Sequence, residues 1–219
     1  RANAVEVLQA SPDRVDPPCP YAGPGRCGGC DFQHVALPAQ RLLKARLVEE
    51  QLRRVAKVER SVVVEAVAGD VDGLRWRTRI QLAVNGSGVA GLRRHRSHEI
   101  EPVDGCLIAT EDVEAVGAER LPWPGASGVE VAASGAQRLV SVSGRRVELP
   151  ELDAGVVVDG RPARAPHGLR HTVLGRSYEV AAGGFWQVHP GAAATLASAV
   201  LDGLDPQPGE SAVDLYAGV

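Results

Sequence analysis

Between residues 61 and 180 the chain carries seven short runs rich in β-branched residues, at 62–64, 79–84, 100–103, 129–131, 139–142, 156–158 and 178–180. Such side chains suit a pleated, half-buried surface. Turn signals separate many of the runs, among them Asn85-Gly86, Asp104-Gly105, Ser143-Gly144 and Asp159-Gly160. Spacing this short leaves no room for crossover helices, so the pattern predicts a mostly antiparallel sheet. No internal repeat is visible.

Helical signals lie outside and between these runs. Residues 37–58 read as one long amphipathic helix, with Pro38 in the first turn, where a missing N–H costs little. Leu42, Leu43, Leu47, Leu52, Val55 and Ala56 supply its apolar positions, and Arg41, Lys44, Glu49, Glu50, Arg53 and Arg54 its polar ones, which predicts a helix packed on a sheet. A short helix is expected at 110–117 and another at 190–204. A strand is expected at 212–216, and residues 1–10 read as a strand or the end of one, with Val5 and Val7 on one face.

Residues 19–30 (CPYAGPGRCGGC) are too rich in Gly and Pro to fold on their own apolar burial. They hold Cys19, Cys27 and Cys30, and Cys106 follows in Val103-Asp104-Gly105-Cys106. Four thiolates close a tetrahedral zinc site or hold a [4Fe–4S] cluster, and the spacing favours neither. Disulfides are a third option, but nothing in the chain suggests export. A metal would supply the folding energy that the loop lacks.

The balance of 24 Lys+Arg against 27 Asp+Glu excludes a polybasic protein, and no apolar run approaches a membrane span. That balance conceals a local excess. Residues 74–98 contain Arg75, Arg77, Arg79, Arg93, Arg94 and Arg96 and no Asp or Glu, with Trp76 and His95 interleaved. Read as two strands joined near Asn85-Gly86, the stretch brings the arginines to one end of a hairpin. Nucleic-acid phosphates would use such a cluster, and Trp76 or a guanidinium plane would stack on an unpaired base. The alternative is a charged edge strand. Near the end, Asp214-Leu215-Tyr216-Ala217-Gly218 has the D-x-x-x-G form with which a strand approaches a nucleotide-like ligand, although many α/β strands end so for packing reasons.

Taken together, these elements resemble the RNA (uracil-5-)-methyltransferase family, the S-adenosylmethionine-dependent enzymes that make 5-methyluridine in rRNA or tRNA. Ser11-Pro12-Asp13-Arg14 with Pro17-Pro18-Cys19-Pro20 resembles the junction after the family's TRAM domain, a small RNA-binding β-barrel. Cys27-Gly28-Gly29-Cys30-Asp31-Phe32-Gln33-His34 resembles its cluster loop, and residues 93–106 the approach to the fourth ligand. Phe185-x-Gln187-Val188 and Asp214-Leu215-Tyr216-Ala217-Gly218 resemble the start of its methyltransferase domain. The likeness departs from the family at the first cysteine spacing, x7 where x5 is usual, at His189, where Asn is common, and at residues 214–218, where some members carry a Cys.

The resemblance implies an α+β fold: a mostly antiparallel central domain with one long amphipathic helix and an iron–sulfur loop, then the first helix and strand of a Rossmann-like domain. Residues 1–18 would end the TRAM-like barrel, 19–183 form the central domain and 184–219 open the methyltransferase domain. It also implies that Cys19, Cys27, Cys30 and Cys106 ligate a [4Fe–4S] cluster, that Gln187 and Tyr216 contact S-adenosylmethionine, and that Arg75, Arg77, Arg79, Arg93, Arg94 and Arg96 face RNA. In such enzymes a cysteine thiolate adds to carbon 6 of uracil, carbon 5 takes the sulfonium methyl, a general base removes the proton from carbon 5, and elimination frees the thiolate. The family's nucleophilic Cys and catalytic Glu lie beyond Val219, the chain opens at Arg1 and it contains no Met, so a piece of a longer protein is expected. The expectation is therefore a methyltransferase whose 219-residue part is inactive alone, monomeric and cytoplasmic with no membrane partner. A metal-stabilised RNA-binding module without chemistry is the alternative.

Overall fold

A computed structural model of the chain describes residues 6–70 and 72–215. Strands β1 (Arg79–Val84), β2 (Ala90–Arg93), β3 (Ile100–Glu101), β4 (Ala126–Ser134), β5 (Gln137–Gly144), β6 (Gly155–Val158) and β7 (Arg161–Arg164) form one sheet. Their order is β3-β2-β1-β4-β5-β6-β7. All neighbours pair antiparallel except β5 and β6, which run parallel. The expected mostly antiparallel sheet is thus present, with one exception. Residues 145–154 make that parallel return without a helix, and Val147, Leu149 and Leu152 of this connection pack against the core instead.

Side chains alternate across the sheet, so one strand serves two clusters. Val129, Val131, Val140, Val142 and Val156 join Ile80 and Leu82 on one face, under Val113, Val116 and Trp123. Trp123 is fully buried, and its indole N–H donates to the Ala118 carbonyl at 2.7 Å. The short helix α1 expected at 110–117 is shorter in fact, Glu111–Glu114, and lies over this face next to β4 and β5. Ala132, Leu139 and Val157 point to the opposite face. There they meet Leu169 of a separate hairpin, β8 (Gly168–Val173) paired with β9 (Arg176–Ala181).

The long helix α2 (Leu37–Gln51) ends in a π-helical turn, Leu52–Ala56, and Lys57 at φ 58° terminates it. Its extent matches expectation, but its packing does not. Only Ala39 and Ala45 are buried, whereas Leu42, Leu47 and Val55 are 61%, 58% and 76% exposed. Its partners are the flanking segments rather than the sheet. Gln40 donates to the carbonyls of Phe32 and Val35, Arg41 pairs with Asp70, and the Val62 N–H donates to Glu49. The six apolar positions, projected at about 100° per residue, spread around the whole circumference, so they never formed one stripe for a sheet to cover.

Three further expectations are corrected. Residues 62–64 form no strand: the segment runs irregularly, tied to α2 through Glu49. Residues 6–10 are irregular as well, and Val7 is 49% exposed; Val5 lies outside the described residues. Residues 212–214 are irregular and Leu215 sits in a turn, while Tyr216 lies outside the described residues. Apolar alternation marks the face of a strand, but its ladder must come from a neighbouring strand. The helix at 190–204 is present as α3 (Ala192–Leu204). No helix among the described residues is long and apolar enough to cross a membrane.

The core assignment has a direct test. Truncating Leu82, 1% exposed, to Ala should lower unfolding free energy in urea by about 2–5 kcal/mol. A change near zero would place Leu82 outside the packed core.

Candidate functional site

The Gly/Pro-rich loop is held by its docking to β2 and β3. Within it, the Cys27 N–H donates to the Tyr21 carbonyl at 3.1 Å and the Ala22 N–H to the Cys19 carbonyl at 3.0 Å. At its far end the Gly28 N–H donates to the Arg93 carbonyl at 2.9 Å, and the His95 N–H donates to the Arg26 carbonyl at 3.0 Å. The loop thereby continues the β2 ladder, with Cys27 opposite Arg94. Gly28 is required by this approach: a Cβ there would stand 2.8 Å from the His95 Cα.

One carboxylate clamps loop and sheet together. Glu101 on β3, 6% exposed, accepts from Arg26 at 3.0 and 2.8 Å through one oxygen and from Arg94 at 2.8 Å through the other. Arg26 also donates to the Pro20 carbonyl and lies over the Tyr21 ring. The Tyr21 hydroxyl bonds Asp104 at both its carboxylate and its N–H. Hydrogen bonds from Arg26 hold the Glu101 carboxyl below the ordinary carboxylate range, against the opposing effect of burial and with help from Arg94. Cys106 is fixed separately. Its N–H donates to one oxygen of Glu114, whose other oxygen pairs with Arg75 at 2.7 Å.

All four cysteines are free thiols, and all four line one cavity of about 510 Å³. Burial pushes the Cys27, Cys30 and Cys106 thiols up. The N–H of Gly29, the Gln33 side chain and the N–H groups of Ile108 and Ala109 respectively oppose this, and the neighbouring thiols raise each further. Among the described residues, no three His, Cys, Asp or Glu side chains are grouped to hold a single metal ion. A zinc ion bound at about 2.3 Å from each sulfur would demand a tighter set.

The six arginines of residues 74–98 do not form one patch. Arg77, Arg93, Arg94 and Arg96 line the cysteine cavity. Arg94 is neutralised by Glu101 and Glu99, Arg75 by Glu114, and Arg79 lies 3.6 Å from Glu130 while donating to the Gly184 carbonyl. Arg77 lies over the Trp76 ring, Arg93 reaches His98, and Arg96 forms no ion pair among the described residues. Trp76 donates its indole N–H to the Gly73 carbonyl and stacks on His189, so its ring is engaged within the chain.

Gln187 is half-buried in the segment that follows β9, which is tied to the start of the interior strand β1 by Thr78 donating to the Val188 carbonyl. Tyr216 lies outside the described residues. Sequence reasoning missed Arg26, Glu101 and Glu114. A lone Arg or Glu carries no local signal, and their partners are 75, 7 and 39 residues away along the chain.

The clamp has a pH signature. Its folded carboxyl titrates below the unfolded value of about 4.5, so its stabilisation is complete above that pH and is lost as pH falls through the folded value. Glu101→Gln should therefore lower the urea midpoint at neutral pH, and the gap from wild type should shrink in acid. A gap that stays constant down to pH well below the carboxylate range would refute the clamp.

No family model matches the chain. An uncharacterized RNA methyltransferase of Streptomyces coelicolor is 49% identical over 244 aligned positions, covering 100% of this chain and 53% of that protein. One from Bifidobacterium longum is 36% identical over 98% of this chain and 52% of its own length. A 23S rRNA (uracil(1939)-C(5))-methyltransferase of Thiobacillus denitrificans is 30% identical over 100% of this chain and 57% of its own. The chain thus spans about half the length of the curated relatives it matches. Among solved structures, a Pyrococcus abyssi tRNA (uracil-54, C5)-methyltransferase in complex with S-adenosyl-L-homocysteine superposes with a TM-score of 0.62 at 20% identity, over 90% of this chain and 53% of that one, a likeness of fold. With its full length aligned to relatives of this kind, the chain belongs to the RNA (uracil-5-)-methyltransferase family.

Proposed function

We propose that the chain is the cluster-bearing, RNA-facing part of an enzyme that transfers a methyl group from S-adenosylmethionine to carbon 5 of a uridine in rRNA or tRNA. The observation that carries this reading is the convergence of four cysteines, from segments 76 residues apart, on one cavity whose wall also holds Arg77, Arg93 and Arg96. The full-length alignment with a relative named for uracil-C5 methylation agrees with it.

In this reading Cys19, Cys27, Cys30 and Cys106 hold a [4Fe–4S] cluster. The chemistry of the donor set fits: four thiols line one cavity, three of them from a loop with little apolar burial of its own. The cluster would supply cross-linking of the loop to residues 103–106, adding to the Glu101 clamp. Arg93 and Arg96 offer phosphate contacts at the mouth of the cavity, whereas Arg75, Arg79 and Arg94 serve the fold through their carboxylate partners. S-adenosylmethionine supplies the electrophilic methyl, and Gln187 with Tyr216 would bind it. Residues 1–18 would close a TRAM-like barrel, 19–183 form the central domain and 184–219 open the methyltransferase domain. With all four cysteines assigned to the cluster, none is left as nucleophile, so the 219-residue chain by itself should transfer no methyl group. The intact enzyme is proposed to act as a cytoplasmic monomer.

Two measurements test this. Anaerobically purified protein should be brown and carry about four iron and four sulfide per chain, and Cys27→Ser should lose both and melt at lower temperature. Colourless protein with stoichiometric zinc would sink the cluster. Separately, the intact enzyme should convert uridine to 5-methyluridine in unmodified RNA with labelled S-adenosylmethionine. Labelled 5-methyluridine formed by the 219-residue chain alone would place the nucleophile among its own cysteines.

A further inference from the structure

Residues 160–178 form a second stretch without Asp or Glu, holding Arg161, Arg164, Arg170 and Arg176 together with His167 and His171. The fold lays this stretch out as β7, at the edge of the large sheet, and as most of the β8–β9 hairpin on the opposite face from the main core. All four guanidinium groups belong to exposed residues. None of them forms an ion pair among the described residues. The contrast with residues 74–98 is direct, since there Arg75, Arg79 and Arg94 are matched to carboxylates. The stretch that looks less basic in sequence keeps more of its charge for a partner.

Edge protection accounts for part of this. Pro162 and two arginines on β7 discourage another strand from adding there. It does not account for the hairpin. His171 and Tyr178 sit opposite each other in the β8–β9 ladder, and Trp186 stacks on the His171 ring at 4.4 Å and meets the Tyr178 ring tilted at 45°, 5.6 Å away. All three rings are only half-buried, and neighbouring Phe185 is 74% exposed. The hairpin turns tightly through Leu174 and Gly175, both at positive φ, which leaves Leu174 and Arg176 at its tip. Unpaired guanidinium groups beside partly exposed aromatic residues, Phe185 the most open of them, are the combination that single-stranded nucleic acid requires: phosphates for the first, bases for the second. An acidic protein partner would use only the charges.

We infer that β7 and the β8–β9 hairpin form a second RNA-contact surface, distinct from the cysteine cavity. Arg161, Arg170 and Arg176 follow the phosphates of an unpaired strand, and Phe185 with the His171–Trp186–Tyr178 cluster presents the aromatic platform. The inference rests on the RNA reading above and adds a location to it. Trp186 immediately precedes Gln187, so a strand held here runs past the segment assigned to the methyl donor.

The test is fluorescence anisotropy of a fluorescein-labelled RNA hairpin with a uridine-rich loop, titrated with the full-length protein across a KCl series. The double variant R161E/R176E should bind about tenfold more weakly at low salt, and its log–log salt slope should fall by about 1–2. R161K/R176K should bind as wild type does, and all melting temperatures should agree. Unchanged affinity and slope in R161E/R176E would overturn the inference. R93E/R96E, measured alongside, separates the two levels: if it alone weakens binding, this surface is wrong while the RNA reading stands. If the wild-type protein itself shows no salt-dependent binding, both fall.

Discussion

The arrangement of the site depends on one buried carboxylate gripped by two arginines. Residues 19–30 have little side-chain bulk with which to exclude water, so the loop has no stable position of its own. Glu101 gives it one by accepting from Arg26 of the loop and from Arg94 at the end of the hairpin. Glu101 is 6% exposed, and burial of its carboxylate without both partners would be costly. The loop's backbone bonds to Arg93 and His95 and the Tyr21–Asp104 contact follow from that anchoring. Together they bring Cys19, Cys27 and Cys30 to the cavity wall where Cys106 already stands.

The same economy governs the arginines. A guanidinium committed to a carboxylate contributes structure but little field to an approaching phosphate, because the pair is close to neutral. Arg75 and Arg94 are spent in this way, on Glu114 and Glu101. The protein's outward positive charge is therefore set by which arginines lack an acidic neighbour in space. Arg96 at the cavity and Arg161 and Arg176 beyond β6 are of that kind, and the mildly acidic total of −3 gives no hint of them.

Much of the sheet was legible. Six of the seven β-branched runs fall on strands, since period-2 alternation needs only local sequence to be recognised. The seventh, at 62–64, has the same composition but no neighbouring strand to complete its ladder, and it lies along α2 instead. The hairpin read across Asn85-Gly86 is present as β1 and β2, whereas β7 and β8, with their Gly, Pro and Arg, were not legible, because their membership comes from pairing rather than from propensity. The long helix was found from its composition, but its surroundings were misread: a spacing of three to five does not by itself converge on one face.

The sequence by itself determined most of the strand content, the three helical segments and the four cysteines with their loop, since each is written in short-range pattern and residue chemistry. Tertiary structure decided which arginines remain charged toward solvent, which strand runs parallel, and that Glu101 rather than any neighbour in sequence holds the cysteine loop. Those outcomes depend on contacts between residues up to 75 positions apart. Electrostatic pairing and ladder formation are properties of distance in space, and distance along the chain carries no record of them.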